Sequence, residues 1–205
     1  FKDAITIVEA RGKLMQSAVP AGEGAMAAIL GLADDQIINL CAQAQKGDEV
    51  AAVNFNAPGQ VVIAGSLAGV ARAIELCKAA GAKRVLPVPV SAPFHTTMMY
   101  PAAQGLTAHL EQTIFSAPTI PIVHNVHAQV ESDPVNIRQL MLEQIYKPVR
   151  WVDCIERLRL LGVHSLVECG PGRVLNGLAK RIDQSFSLFA SDERSRFETA
   201  LTELT

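Results

Sequence analysis

The chain has 205 residues, 49% hydrophobic and 19% charged, with a formal net charge of −2 and an aromatic content of 5%. That suffices for one large domain or two small ones; it offers no basic, ring-bearing surface to nucleic acid, and charges, Gly and Pro interrupt every apolar run before it could span a membrane. Cys41, Cys77, Cys154 and Cys169 form no CxxC pair, so a zinc cluster is not expected, and reduced thiols without a secretory signal point to the cytoplasm; no cofactor is expected either.

Residues 1–18 read as an amphipathic helix. At about 100° per residue, Leu14, Ile7, Ala18, Ala4, Met15, Val8, Phe1 and Ile5 share one apolar arc. Arg11 falls inside that arc. A guanidinium keeps its charge, so its place there calls for an anionic partner or a wet cleft; a structural ion pair is the plain alternative. The chain starts at Phe1, without Met and already inside this helical pattern, which suggests a fragment or a processed piece.

From Gly24 the period changes. Residues 24–31 read as a strand, 34–46 as a helix, 50–55 and 60–65 as strands around the turn Asn56-Ala-Pro-Gly59, 67–80 as a helix and 83–90 as a strand. This β-α-β-β-α-β order is that of a ferredoxin-like unit, placed at 24–90. Beyond Ser91, helices near 98–113, 134–146, 151–161, 173–183 and 193–203 alternate with strands at 120–126, 165–168 and 186–190. Such alternation argues for a parallel sheet covered by helices. Residues 1–23 and 91–205 then form a large α/β domain into which 24–90 is inserted.

His95 ends the segment Val88-Pro-Val-Ser-Ala-Pro-Phe-His95, stiffened by Pro89 and Pro93 and placed at the domain junction. A general base fits that position; a loop histidine satisfied by backbone is the alternative. The nucleophile such a base would serve is not found. No G-x-S-x-G elbow occurs, and the nearest approach, Gly65-Ser66-Leu67-Ala68-Gly69, reads better as a helix N-cap at Ser66. His124 and His127 would point to opposite faces of an extended strand, which argues against shared metal ligation. Gly170-Pro171-Gly172 is expected to be a tight strand-to-helix turn, since it lacks the Lys-Ser/Thr of a phosphate loop.

Five segments taken together resemble the malonyl-CoA:acyl carrier protein transacylases in order and spacing. They are Val8-Glu-Ala-Arg-Gly-Lys-Leu-Met15, Gly24-Ala-Met-Ala-Ala-Ile-Leu-Gly31, Val53-Asn-Phe-Asn-Ala-Pro-Gly-Gln-Val-Val-Ile-Ala-Gly65, Pro93-Phe-His95 and Glu168-Cys-Gly-Pro-Gly172. The resemblance implies an α/β-hydrolase-like large domain, incomplete here, with an inserted ferredoxin-like small domain. It implies transfer of malonyl from malonyl-CoA to the phosphopantetheine thiol of acyl carrier protein, by a ping-pong route through a malonyl-serine ester, as in fatty acid biosynthesis. His95 matches the family's base and Arg11 the arginine that binds the malonyl carboxylate. Met15 matches a pocket residue, Met26 and Phe94 are further substrate-binding candidates, and the main-chain carbonyl of Gln144 or a close neighbour would orient the histidine. The family's Gly-His-Ser-x-Gly and Gly-Gln-Gly-Ser-Gln segments would both lie upstream of Phe1. This polypeptide alone is therefore expected to be inactive.

A buried Arg11 would disfavour neutral acyl groups, and Phe94 beside His95 would crowd a substituted malonyl, although ordinary packing also explains Phe94. Lys83 and Arg84 are candidate contacts for the acidic carrier protein, or simply a solvated pair at a strand start. Three other readings stay open: a polyketide-pathway acyltransferase, a non-catalytic module that binds acyl-CoA or carrier protein, and an unrelated hydrolase with a hidden serine.

Overall fold

A computed structural model of the chain describes residues 1–90 and 92–204. Ser91, in the segment leading to His95, and Thr205, the last residue of the expected large domain, lie outside the described residues. Among those described, no helix is long and apolar enough to cross a membrane.

Helix α1 (Lys2–Ser17) is followed by β1 (Gly24–Leu30), α2 (Asp34–Ala44), β2 (Val50–Ala57), β3 (Gln60–Ser66), α3 (Leu67–Ala79) and β4 (Arg84–Pro87). The four strands form one antiparallel sheet in the order β2-β3-β1-β4, with Gly24 opposite Ser66 and Leu30 opposite both Gln60 and Arg84. Alternation along β1 gives the sheet two buried faces. Ala27 and Ile29 point into a core with Ile37 and Cys41 of α2 and Val70 and Cys77 of α3. Met26 turns to the opposite face with Val53, Val62 and Ala64, where Phe94 packs.

The β2–β3 connection is tighter than the sequence suggested. The strands run on to the pair Ala57–Gln60, leaving only Pro58 and Gly59 between them. Gly59 has φ +68°, which behind a proline suits a type II turn. The last strand of the unit is shorter than expected, ending at Pro87, because Pro89 has no N–H to extend the ladder.

After a short 3-10 turn at Thr97–Met99 come α4 (Tyr100–Glu111), β5 (Val123–His124), β6 (Gln129–Val130), α5 (Pro134–Tyr146), α6 (Trp151–Leu160), β7 (Ser165–Glu168), α7 (Val174–Ile182), β8 (Ser187–Ala190) and α8 (Arg194–Leu204). α1, α4 and α5 share a core of Ile7, Met15, Met99, Leu106, Leu110 and Ile145. Gly105 allows α1 and α4 to meet closely, since a Cβ there would stand 2.6 Å from Leu14 Cδ2. Asp133 caps α5 by accepting from the N–H groups of Val135 and Asn136, and Pro134 opens its first turn.

The structure is α/β, with β7 and β8 parallel as the alternation predicted. The strand expected over 120–126 is a correction. Only Val123 and His124 are extended, and they pair antiparallel with Gln129 and Val130 because the chain turns back at 125–128, where Ala128 adopts φ +56°. The helix arc is also only partly covered: Ile7 and Met15 are buried, whereas Phe1, Ile5 and Val8 are exposed.

Candidate active site

His95 is half-buried, with φ +64°. A left-handed conformation costs a residue with a Cβ about 1–2 kcal/mol, so the surroundings must hold it there. Its Nδ1 lies 2.9 Å from the carbonyl oxygen of Gln144, near the end of α5. A carbonyl only accepts, so this contact puts the proton on Nδ1 and leaves the Nε2 lone pair available. Burial pulls the imidazole's pKa below its ordinary value, the Gln144 carbonyl opposes that shift, and the Arg11 charge adds to it. Burial thus favours the neutral ring.

Gln144 also reaches α1. Its side-chain Oε1 accepts from Arg11 Nη2 at 2.7 Å, so one residue contacts the histidine through its backbone and the arginine through its amide. Arg11 is half-buried, and desolvation lowers its pKa from the ordinary value. Among the described residues no carboxylate forms a salt bridge with it. The structural ion pair considered for Arg11 is therefore not formed; a neutral amide satisfies one donor and leaves the charge uncompensated.

Arg11 and Gln144 line a cavity of about 240 Å³ together with Leu106, His124, Asn125 and Met141. His124 and Asn125 were not singled out as lining this space. Their signal was weak, because the strand reading of 120–126 hid the turn that brings them there. His124 and His127 do not point apart as an extended strand would require; their rings meet edge to face with centroids 6.0 Å apart. Among the described residues no group of three or more His, Cys, Asp or Glu side chains could hold a metal ion.

The remaining candidates fall in two places. Met15 and Met26 are both buried, in the helical core and on the second sheet face respectively, and Phe94 packs against both of those clusters. Lys83 and Arg84 are exposed and stand apart, lining a cleft of about 550 Å³ with Pro58, Gly59 and Arg181. Ser66 is a helix cap, its Oγ accepting from Gly69 N at 3.0 Å. The turn at 170–172 opens α7, with Glu168 accepting from the N–H groups of Leu175 and Asn176.

The acyl transferase domain family matches residues 1–185 of this chain. The chain belongs to that family. Among its relatives is the malonyl CoA-acyl carrier protein transacylase of Haemophilus influenzae, 54% identical over 182 residues, or 89% of this chain and 58% of the relative. The corresponding Escherichia coli K12 protein is 50% identical over 98% of this chain and 65% of its own length. The crystal structure of an acyl carrier protein S-malonyltransferase from Vibrio cholerae superposes with a TM-score of 0.95 at 50% identity, over 97% of this chain and 65% of that one. A malonyl-transacylase solved in complex with a type II polyketide acyl carrier protein matches with a TM-score of 0.96 at 48% identity, over 98% and 65%. The chain thus spans about three fifths to two thirds of the length of these relatives.

Proposed function

We propose that the protein to which these residues belong transfers malonyl from malonyl-CoA to the phosphopantetheine thiol of acyl carrier protein. The observation that carries this reading is the Gln144 junction, which joins a neutral, oriented histidine to an arginine that has no carboxylate partner among the described residues. In the proposed reaction His95 Nε2 takes the proton of a serine hydroxyl as its oxygen attacks the thioester carbonyl of malonyl-CoA. The resulting imidazolium returns the proton to the departing CoA thiolate, leaving a malonyl-serine ester. In the second half His95 deprotonates the carrier-protein thiol, the thiolate attacks the ester carbonyl, and the imidazolium returns the proton to the departing serine oxygen, so the route is ping-pong. No G-x-S-x-G elbow occurs in the sequence, so the serine is proposed to be that of the Gly-His-Ser-x-Gly segment that the resemblance implies.

Arg11 takes the malonyl carboxylate, which supplies the anion that its surroundings lack. Met15, Met26 and Phe94 shape the pocket around the three-carbon acyl group. The fold that holds them is read as an α/β-hydrolase-like domain of residues 1–23 and 91–205, with a ferredoxin-like unit inserted at 24–90; the strand order β2-β3-β1-β4 supports the latter. Lys83 and Arg84 are the proposed carrier-protein contacts, joined by Arg181 in the same cleft. A polyketide carrier protein is the second reading of the acceptor, favoured by the similarity to a transacylase solved with such a partner.

The test is Arg11→Ala in the full-length polypeptide, assayed with malonyl-CoA and acetyl-CoA. Removing one partner of a buried charge pair costs about 3–5 kcal/mol, so kcat/KM for malonyl-CoA should fall by about 10²–10⁴-fold. Acetyl-CoA, which carries no carboxylate, should lose far less. Unchanged malonyl transfer would remove Arg11 from the carboxylate site.

A further inference from the structure

The segment carrying His95 is held from both sides, and one of its holds comes from the 24–90 unit. Upstream, Pro93 packs so closely on β1 that a Cβ at Gly24 would stand 2.3 Å from Pro93 Cδ. Phe94 N donates to Ala92 O at 3.0 Å. Downstream, the buried Thr96 returns its hydroxyl to Pro93 O at 2.8 Å. Thr97 is gripped twice by one carboxylate: its N–H donates to Glu49 Oε1 at 2.7 Å and its hydroxyl to Glu49 Oε2 at 2.6 Å.

Glu49 is well anchored for such a grip. It precedes β2, and its carbonyl accepts from Ser66 N at 2.8 Å. The sheet and α3 close on it where only glycine fits, since a Cβ at Gly65 would lie 2.0 Å from Glu49 O and one at Gly69 2.7 Å from the same atom. The carboxylate therefore extends from a fixed backbone to the N-terminal end of the 3-10 turn, two residues after His95. A histidine at φ +64° keeps that conformation only while both flanks are fixed. The Gln144 carbonyl restrains the ring but not the backbone.

We infer that Glu49 is a positioning residue for His95, a strut from the 24–90 unit that holds the base in its left-handed conformation with Nδ1 on the Gln144 carbonyl. The inference rests on the reading of His95 as the base, and its test is arranged so that the two can fail separately.

Glu49→Ala, Glu49→Gln and Thr97→Val are made in the full-length polypeptide. The His95 ring is followed by NMR titration, and malonyl transfer by steady-state kinetics. In Glu49→Ala the loosened ring should titrate at higher pH, nearer an ordinary histidine, as it gains water beside the Arg11 charge on α1. With the base displaced by an ångström or so, kcat should fall by about 10–10²-fold. KM for malonyl-CoA, set by Arg11, should stay within about twofold. Glu49→Gln, which keeps one acceptor for Thr97, should recover most of kcat. Thr97→Val, which loses only the hydroxyl's bond, should shift the titration slightly in the same direction and serves if the alanine variant does not fold. An unchanged His95 titration and kcat in folded Glu49→Ala, whatever its melting temperature, would overturn the inference. A wild-type protein that transfers no malonyl would overturn the substrate reading instead, and the His95 titration would then decide the strut alone.

Discussion

Each group around His95 has one assignable effect. The Gln144 carbonyl fixes the proton on Nδ1, and burial opposes the imidazolium, with Arg11 adding to that opposition. A base works only when neutral, so a lowered pKa extends activity towards acid. The acidic limb of kcat/KM for malonyl-CoA should accordingly fall below the value of about 6.5 typical of free histidine. A pH profile of the full-length polypeptide with its limb at or above that value would contradict the assignment. The position of His95 was readable from Pro89 and Pro93, which precede it and announce a stiff segment. Its left-handed backbone was not, because the contacts that fix its flanks, with Gly24 and Glu49, lie far away in sequence. The side-chain tie between Gln144 and Arg11 was equally hidden, since it joins two helices separated by 133 positions.

Elements with a strong local signal were read well, and those set by tertiary contacts were not. The β-α-β-β-α-β order stands because alternation, helical period and turn residues agree along 24–90. The strand over 120–126 shrank to a two-residue pair because an apolar run does not say whether a neighbouring strand is there to receive it. The segment Gly65-Ser66-Leu67-Ala68-Gly69, which most resembles a nucleophile elbow, has a complete packing explanation. Gly65 and Gly69 leave room for the Glu49 carbonyl, and Ser66 caps α3 through Gly69 N. Ser66→Ala should therefore cost about 1 kcal/mol of stability, seen in urea denaturation, and leave malonyl transfer intact. Loss of transfer without loss of stability would revive the hidden-serine hydrolase.

At the scale of the molecule, the β2-β3-β1-β4 sheet is flanked by two separable surfaces. One sheet face packs through Met26 and Phe94 against the histidine segment, while the far end presents Lys83 and Arg84 beside Arg181 of α7. The sequence exposed the first two of these cations as neighbours but could not show that a helix nearly a hundred residues later adds a third, because that depends on how α7 lies against the sheet. Clustered exposed cations act mainly on encounter and orientation of an acidic partner, and salt screens them over about 10 Å. Lys83→Glu with Arg84→Glu should therefore raise KM for acyl carrier protein by about tenfold, or roughly 1.4 kcal/mol, and flatten its dependence on ionic strength. The first half-reaction involves no carrier protein, so acylation of the protein by malonyl-CoA should proceed at the wild-type rate. If both half-reactions slow together, the charges act on the active site itself; if neither changes, the acidic partner docks elsewhere.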